Sequence, residues 1–593
     1  MVILIISTII FSMYCLSVSL VHTEYLNSRS TDPLAILHSL TPFYYTVMVL
    51  FAVLCFTCVL YGLGNKYIHI LLLIEFSLML WFTPYYLSGF SRITDSLWHV
   101  GVAKNLPEIA EGHQMMFSYY YEEYPTSYIL NYVVMQIAGI DAFIYAQLIY
   151  PLFCIIGIVS LCYVFVSRLF TYKIAFISTL IVILAPFSPE VHVSPHSLGT
   201  LLVLVSAIFL VTCRDRKSKI IGLLLSFVVI TVHPISPLIL LIFMIVPYIA
   251  NVFVHNVKLP SLRSGILAIL ATLCGWFGWA LFHTTTTETG IAESIYRIVT
   301  LKFATQLEMI GMAATHTREY VFPEISLLST IVLYSYLIIP LIFFCYAIIG
   351  LDLRKGIKKL FLQIGERLRY ERLLMLSIAF LCVILSIASV FSGVEVGERA
   401  FYLWERSFFY FILAVSAYVA SNVLIKRVHS SRKRKWTYAK ALTISWLIFL
   451  ALAYPITHTQ SEAYQIYPPS EDTGMRFLQS RVPLSSKTLS MFLPNQFASY
   501  ADPETRFTYQ TTDDRMKLLS ELSLNNRSSP LPDIMVFRRS EYFYVSYEYD
   551  KSFENNRYIR AITWIEGSCE FNKIYSSPTF EVYVESSNSS LPT

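Results

Sequence analysis

Asp95 and His99 are the first residues in this sequence whose types and spacing could do chemistry. They are four residues apart, so a helix capped by Thr94 or Asp95 would project both side chains from one face, just after a long apolar run. A carboxylate in that position could accept a proton. The alternative is structural, with an Asp that caps a helix and a His at a membrane surface.

Three further candidates are the histidines at 192, 196 and 233, which lie where later apolar runs begin or end. Zinc binding is conceivable, but His192 and His196 are merely four residues apart and lack the Glu of a zinc-hydrolase helix. A divalent metal is therefore possible but not favoured. The alternative is a structural role, in which these histidines are hydrogen-bonded at helix ends. His196 and His233 are also candidates for substrate binding.

Arg399 and Arg406 form the third set, because a spacing of seven residues places them on one helical face. Guanidinium groups suit a phosphate or pyrophosphate, which they can bind through two parallel hydrogen bonds. The alternatives are ion pairs with the neighbouring Glu395, Glu398 or Glu405, or contacts with lipid headgroups.

The elements that must position these residues follow from the composition. The chain has 593 residues and 68.1 kDa, is 55% hydrophobic and 14% charged, and has a mean hydropathy of +0.58. A water-soluble fold could not cover so much apolar surface, so we predict a polytopic α-helical membrane protein with about thirteen spans. The apolar runs lie near residues 2–21, 41–62, 67–88, 143–167, 174–188, 198–213, 220–233, 235–254, 264–283, 324–349, 373–391, 404–425 and 440–457.

Positive charge predicts the orientation, because loops that stay in the cytoplasm accumulate Lys and Arg. The loops near 66, 168, 216, 258, 360 and 432 hold 23 of the 31 Lys and Arg residues that precede residue 458. We therefore expect a cytoplasmic N-terminus and, after thirteen crossings, a C-terminus outside. These clusters are interpreted as topological signals, and no nucleic-acid partner is expected.

From about residue 458 the chain changes character: 17 Asp and Glu outnumber 13 Lys and Arg, and short β-rich runs appear. We predict a transmembrane domain at 1–457 and an extracytoplasmic α/β domain at 458–593. Strands are expected at Ile534–Arg538, Tyr542–Tyr547 and Thr579–Val584, a helix at Asp513–Ser520, and a hairpin turn from Asn572 to Pro578. Glycosylation sequons begin at Asn526 and Asn588.

The segment from Asp95 to Asp141 resembles the first outer loop of GT-C membrane glycosyltransferases, which take sugars from polyprenyl-phosphate carriers. The likeness is carried by Asp95 with Trp98 and His99 after a span, by an aromatic stretch that ends in Tyr124-Pro125, by Gly139-Ile140-Asp141, and by Pro195, His196 and Leu198 at the start of a later span. The many spans and the C-terminal outer domain extend the likeness over most of the chain.

The resemblance implies that Asp95 is the base that activates the acceptor hydroxyl and that outer cations, here Arg399 and Arg406, bind the lipid phosphate. We expect Arg92, His99, His196 and His233 to line the same substrate surface. Nucleotide sugars are made in the cytoplasm, so a transferase that works outside needs a donor already carried across on lipid. The acceptor could be a protein, a lipid or a glycan.

Two other function classes remain open. A transporter or lipid flippase also has many apolar helices, but it predicts internal repeats and charges near the bilayer midplane. Glu75 is the one clear acid within a span. A receptor or assembly factor would use the outer domain to bind protein. The expected location is the prokaryotic cell membrane, with an internal eukaryotic membrane as the alternative.

Overall fold

The computed structural model describes residues 2–20, 40–83, 94–111, 118–185, 191–213, 215–253, 262–283, 323–348, 370–384, 397–423 and 433–459, and further along 488–490, 534–538, 557–567, 571–576 and 580–585. Up to residue 459 the secondary structure described is helical. In chain order the helices are α1 (Val2–Ser19), α2 (Pro42–Tyr61), α3 (Lys66–Ser77, continued by a π-helical turn, Leu78–Phe82), α4 (Thr94–Lys104), α5 (Leu106–Ala110), α6 (Ser118–Glu123), α7 (Pro125–Ala138), α8 (Ala142–Leu169), α9 (Tyr172–Ile183), α10 (Pro195–Thr212), α11 (Arg216–Ile230), α12 (Ser236–Phe253), α13 (Leu262–His283), α14 (Pro323–Ile348), α15 (370–384), α16 (Gly397–Val423) and α17 (Lys433–Thr459).

Each of the thirteen apolar runs contains one of these helices. Among the described residues, six helices, α1, α2, α8, α10, α13 and α14, are long and apolar enough to cross a membrane. The protein is therefore a multi-pass membrane protein. That all thirteen runs cross the bilayer stays a prediction.

Helix α9 lies at the centre of the bundle, because every side chain from Ile174 to Ile183 is buried. Its twelve residues are too short to cross about 30 Å of hydrocarbon, so its last carbonyls end inside the protein. Two buried side chains satisfy them: the indole N–H of Trp81 donates to the Ile183 carbonyl at 3.1 Å, and the hydroxyl of Tyr336 donates to the Ile181 carbonyl at 3.0 Å. The end of α9 is thus capped by α3 and α14.

Loops that the charge pattern assigns to the cytoplasmic side meet at one end of the bundle. The Lys440 ammonium donates to the Leu60 carbonyl at 2.6 Å, and a Cβ at Gly62 would contact the Lys173 ammonium at 3.0 Å. Loops assigned to the opposite side meet at the other end, as described below. We call that second end the outer end; which compartment it faces stays a prediction.

Helix α7 has an inverted polarity. Its buried face carries Ser127, Tyr128 and Asn131, whereas its exposed face carries only apolar residues and Gln136: Ile129, Leu130, Val133, Val134 and Ile137. A helix on the surface of a water-soluble protein has the opposite arrangement. Helix α7 is therefore amphipathic, with its apolar side facing away from the protein.

The C-terminal part contains a four-stranded sheet of β1 (Thr488–Ser490), β2 (Ile534–Arg538), β3 (Phe571–Ser576) and β4 (Phe580–Glu585), in the order β1-β2-β4-β3. β1 and β2 are parallel, and the other pairs are antiparallel. Helix α18 (Arg557–Gly567) lies beside β3 and was not predicted, although Ala561 and Ile565, four residues apart, form its buried face.

The strand predicted at Ile534–Arg538 is observed with those bounds, and the strand predicted at Thr579–Val584 is observed at Phe580–Glu585. The hairpin turn predicted from Asn572 is wrong, because Phe571–Ser576 is itself a strand paired with β4 and the connection follows Ser576. Tyr542–Tyr547, Asp513–Ser520 and both sequons lie outside the described residues. The division of the chain at residue 458 stays a prediction.

The contact between α10 and α11 offers a packing test at Gly222. A Cβ there would meet the Leu210 Cγ at 2.7 Å and the Phe209 Cβ at 2.9 Å, both close to rigid backbone. We expect Gly222→Ala to lower the free energy of unfolding by about 1–3 kcal/mol, measured by thermal unfolding in detergent. Gly278→Ala is the matched control, since nothing lies within 4 Å of its Cβ. Equal melting temperatures for the two variants would contradict this packing.

The sheet offers a pH test at Glu566. The Glu566 carboxylate accepts two hydrogen bonds, from the Lys573 ammonium at 2.6 Å and from the Tyr583 hydroxyl at 3.1 Å. These hydrogen bonds lower the pKa of the Glu566 carboxyl. The stabilisation is therefore present above the unfolded-state pKa of about 4.3 and is lost as the pH falls through the lower folded-state pKa.

Because both side chains are partly exposed, we expect Glu566→Gln to cost about 0.2–1 kcal/mol at pH 7. The difference should vanish when the pH is below the folded-state pKa, as followed by denaturant unfolding of the full chain. A difference that grows on acidification would contradict the assignment.

Candidate active site

Asp95 and His99 lie on α4, which begins at Thr94. Thr94 and Asp95 are therefore both inside the helix, and neither is the cap that the sequence suggested. Asp95 occupies the first turn, where the partial positive charge of the helix N-terminus favours a carboxylate. Arg92 lies outside the described residues.

His99 is buried one turn further along α4. Its Nδ1 is hydrogen-bonded to the hydroxyl of Tyr128 on α7, at 2.9 Å. The ring of the neighbouring Trp98 stacks on it with the centroids 4.5 Å apart, and Tyr121 meets the ring of Tyr128 edge-on at 6.1 Å. The imidazole is thus held in one orientation between α4 and α7.

Ser96 connects α4 to the start of α10. Its buried hydroxyl accepts a hydrogen bond from the backbone N–H of Val193 at 3.3 Å. One residue later, Ser194 caps α10 by accepting from the Ser197 N–H at 3.2 Å. The residue next to Asp95 is therefore hydrogen-bonded to the segment that leads into His196.

The Ser197 hydroxyl shapes that segment further. It donates to the His192 carbonyl at 2.7 Å, and the Tyr150 hydroxyl on α8 lies 2.8 Å from it. These bonds hold the turn from 191 to 195 in a closed conformation, which sets the position of His196 in the first turn of α10.

His196 and His233 lie together although 37 positions separate them in the chain. Their buried rings have centroids 5.1 Å apart and are tilted by 58°. The Nδ1 of His233 accepts from the Ile235 N–H at 3.4 Å, so in the neutral ring the proton lies on Nε2. The turn from 231 to 236 thus brings its histidine to the N-terminus of α10.

Four elements close into a ring at this end of the bundle: α4, the segment 191–196, the turn 231–236 and α7. Ser96 joins the first to the second, and His196 and His233 join the second to the third. The Thr126 and Thr231 hydroxyls, 2.6 Å apart, join the third to α7, and Tyr128 with His99 completes the circuit. We call this arrangement the four-element ring.

Helix α13 ends at the four-element ring. The indole N–H of Trp279 donates to the Glu123 carbonyl at 2.9 Å, and that of Trp276 donates to the Pro234 carbonyl at 3.2 Å. Segments that the charge pattern places on one side of the membrane are therefore in direct contact. The loop 284–323, which follows α13, lies outside the described residues apart from Pro323.

The backbone positions of Arg399 and Arg406 follow from the register of α16, although their side chains are not described. The Tyr410 side chain on α16 contacts that of Thr200 on α10. Arg406 precedes Tyr410 by one turn, as His196 precedes Thr200, so Arg406 and His196 lie at comparable depth. Arg399 lies two further turns toward the outer end.

The structure thus brings His99, His196 and His233 to one ring and places Asp95 on it. Whether the side chains of Asp95, Arg92, Arg399 and Arg406 face this ring stays a prediction. In the described part of the chain, no group of three or more His, Cys, Asp and Glu side chains could hold a metal ion. The connecting residues Ser96, Tyr128, Thr126 and Ser197 were not predicted from the sequence. Among them, only Ser197 has a local signal, the cap pattern Ser194-Pro195-His196-Ser197.

Neither a protein-family model nor a curated protein matches the chain. Solved structures do. ArnT from Cupriavidus metallidurans bound to undecaprenyl phosphate matches with a TM-score of 0.38 and 11% identity, over 87% of this chain and 97% of that one. The apo oligosaccharyltransferase from Archaeoglobus fulgidus matches with a TM-score of 0.41 and 11% identity, over 88% and 74% of the two chains.

The archaeal oligosaccharyltransferase AglB from the same organism, in complex with an inhibitory peptide and a dolichol-phosphate, matches with a TM-score of 0.39 and 12% identity, over 85% of this chain and 70% of that one. These neighbours belong to the superfamily that the sequence resembles. With identities of 11–12% and TM-scores below 0.5, the function of this chain has to be argued from its own residues.

The four-element ring can be tested at Ser96. Ser96→Ala leaves the buried Val193 N–H without its partner, which costs about 1–3 kcal/mol, and releases α4 from the segment before α10. We expect a lower melting temperature and faster hydrogen exchange in 191–196. Ser178→Ala is the control, because that buried hydroxyl has no hydrogen-bond partner in the described structure. Unchanged exchange in Ser96→Ala would show that the bond does not hold the ring.

Proposed function

We propose that this chain is an integral-membrane glycosyltransferase that moves a sugar from a polyprenyl-phosphate donor to an acceptor on the extracytoplasmic face. The observation that carries the proposal is the four-element ring. It joins the helix of the candidate base, Asp95, to a pair of buried histidines at one end of an apolar bundle. Transfer to a hydroxyl acceptor needs a base such as a carboxylate, and departure of a phosphate needs hydrogen-bond donors such as histidines, so the two kinds of side chain have to lie close together.

The predicted extracytoplasmic location of the ring supports a donor that is carried by a lipid. Lys and Arg are concentrated in the loops that the charge pattern assigns to the cytoplasm, and the part of those loops that the structure describes, at Gly62 and Lys173, lies at the end opposite the ring. The ring then faces the compartment where nucleotide sugars are not made. A donor anchored in the bilayer reaches such a site laterally, and the apolar exposed face of α7 borders it.

In the proposed reaction the Asp95 carboxylate takes the proton of the acceptor hydroxyl as that oxygen attacks the anomeric carbon. The new bond forms opposite the phosphate, the bond from the anomeric carbon to the phosphate oxygen breaks, and its electron pair stays on the phosphate. One displacement inverts the configuration. General-base help of this kind contributes roughly 10²–10⁴-fold.

Cationic groups would stabilise the charge that develops on the departing phosphate. Arg406 is the leading candidate, since its backbone lies at the depth of His196, and Arg399 would meet the phosphate or its surroundings further out. Arg92, His99, His196 and His233 would complete the substrate surface. Hydrogen bonds and charges aimed at a leaving group are worth several kcal/mol where water is excluded.

No step of this reaction requires a metal, and the acceptor class, whether protein, lipid or glycan, is open. The alternative of a transporter or flippase is not favoured, because His99, His196 and His233 lie at the outer end rather than at mid-depth. Glu75 is buried within α3, but one carboxyl does not form a transport pathway.

The experiment is a transfer assay with the purified full chain in lipid nanodiscs. Undecaprenyl phosphate and dolichol phosphate, each linked to a panel of hexoses, are the donors, and release of the carrier is measured with candidate acceptors. We expect Asp95→Asn to reduce turnover at least 100-fold while the affinity for the lipid phosphate stays within about twofold.

Asp141→Asn is the matched control. Asp141 is an exposed cap that accepts from the Phe143 and Ile144 N–H groups, and an Asn side chain can make the same bonds. Its turnover should equal that of the wild type. A fully active Asp95→Asn enzyme would remove Asp95 as the base.

A further inference from the structure

Two polar side chains on the buried face of α7 have hydrogen-bonding capacity that the described protein does not use. The Ser127 Oγ and the Asn131 Nδ2 have no hydrogen-bond partner, and each residue is 1% exposed. The Oδ1 of Asn131 is occupied, because it accepts from the Tyr145 hydroxyl at 2.8 Å. That bond sets the orientation of the amide and leaves its NH₂ group as the unsatisfied end.

The neighbouring contacts show where these groups point. Successive residues on a helix are about 100° apart. Thr126 contacts Thr231 and Tyr128 contacts His99, so Ser127 projects between these two contacts, into the middle of the four-element ring. Asn131 lies one turn further along the same face and reaches toward the start of α8 through Tyr145.

Leaving a buried amide or hydroxyl unpaired costs about 1–3 kcal/mol for each group. Native proteins keep few such groups. Other buried polar atoms of the described residues, among them the Ser178 hydroxyl, also lack a partner, so what sets Ser127 and Asn131 apart is their position. Here two of them stand one turn apart on one face, next to the histidine that shares a helix with Asp95. Their arrangement fits a ligand that supplies oxygen atoms at both positions.

The chemistry of that ligand follows from the lining. An amide NH₂ and a hydroxyl are neutral donors, so they complement neutral oxygens, whereas a phosphate is better matched by the arginines of α16. Aromatic rings lie near the pair. Tyr145 is hydrogen-bonded to Asn131, Tyr128 follows Ser127 in the chain and meets Tyr121 edge-on, and Trp98 stacks on His99, the partner of Tyr128. Apolar aromatic walls with a few placed polar groups are typical of sites for small neutral ligands.

We propose that Ser127 and Asn131 form the subsite that binds hydroxyl groups of the transferred sugar. This inference rests on the proposed function. It assigns a binding site to the sugar of the donor, whereas the arginines and histidines are candidates for binding the phosphate and the rest of the substrate. The sugar would lie against the buried face of α7, beside the helix that carries Asp95, and its hydroxyl oxygens would accept from the Asn131 amide and the Ser127 hydroxyl.

The test uses the full chain in nanodiscs and the hexose-linked donors described above. Asn131→Asp keeps an oxygen for the Tyr145 hydroxyl and removes the NH₂ group, and Ser127→Ala removes one oxygen. We expect each variant to raise the KM for the donor at least tenfold and to leave the KM for the acceptor within twofold. Ser127→Ala carries the test if Asn131→Asp fails to fold.

Asn422→Asp is the control that separates sugar binding from general packing. It changes the same functional group on α16, where the Asn422 Nδ2 donates to the Tyr418 carbonyl at 2.8 Å, far along the helix from Arg406. This variant should keep the donor KM within twofold of the wild type.

Deoxy donors identify the contact directly. For the wild type, a donor that lacks the recognised hydroxyl should show at least a tenfold higher KM. In Asn131→Asp or Ser127→Ala, the same deoxygenation should cause no further loss. Equal penalties in wild type and variants, or an increase confined to the acceptor KM, would overturn the sugar subsite.

The outcome is distinguishable from failure of the proposed function. If the wild-type chain releases carrier from at least one donor but the Ser127 and Asn131 variants bind that donor as the wild type does, the glycosyltransferase stands and the subsite falls. If the wild type releases carrier from no donor on the panel with any acceptor, the function itself is refuted, and the subsite with it.

Discussion

The structure depends on one constraint: in a chain that is 55% hydrophobic, backbone groups at helix ends have no water in the hydrocarbon to satisfy them. Long-range hydrogen bonds do so instead. Trp81 and Tyr336 satisfy the last carbonyls of α9, and Ser96 satisfies the N–H of Val193 before α10. Each of these bonds joins helices that are far apart in the chain, so the satisfaction of backbone groups also determines which helices meet.

The same constraint assembles the candidate site. Residues 191–194 and 231–235 are non-helical and buried or half-buried, and their polar groups have to find partners nearby. Ser96, Ser194, Ser197 and Thr126 provide them. A ring of hydroxyls thus closes the outer end of the bundle, and the histidines lie on it. The hydrogen bonds that stabilise this end of the fold therefore also fix the positions of the histidines at the candidate site.

The arrangement separates two tasks. Under the proposed function, the charged candidates, Asp95 in the first turn of α4 and Arg406 near the depth of His196, would meet the groups that gain or lose charge. The neutral groups are on α7, where Ser127 lies between the contacts of Thr126 and Tyr128, and Asn131 lies one turn further along the same face. A substrate with a charged phosphate and a neutral sugar has the same division. The inverted polarity of α7 fits this arrangement, because its polar face is buried toward the ring and its apolar face is exposed, where lipid would contact it.

Much of the fold was predictable because hydrophobicity is local. Thirteen apolar runs contain thirteen helices, and Ile534–Arg538 is a strand in the structure as predicted. The turn from Asn572 was misassigned, because pairing with β4 outweighs the local turn preference of Asn. His99, His196 and His233 were found as candidates by residue type and by position at helix ends.

By itself the sequence determined the membrane class and the positions of the helices, since hydrophobicity acts on each segment separately. Only the tertiary structure decided that His196 meets His233, that Ser96 holds Val193, and that Ser127 and Asn131 are buried without partners. The two contacts join residues 37 and 97 positions apart, and the burial of Ser127 and Asn131 depends on what packs around them. No local pattern encodes them, because a side chain's partner is set by how helices pack and not by its neighbours in the chain.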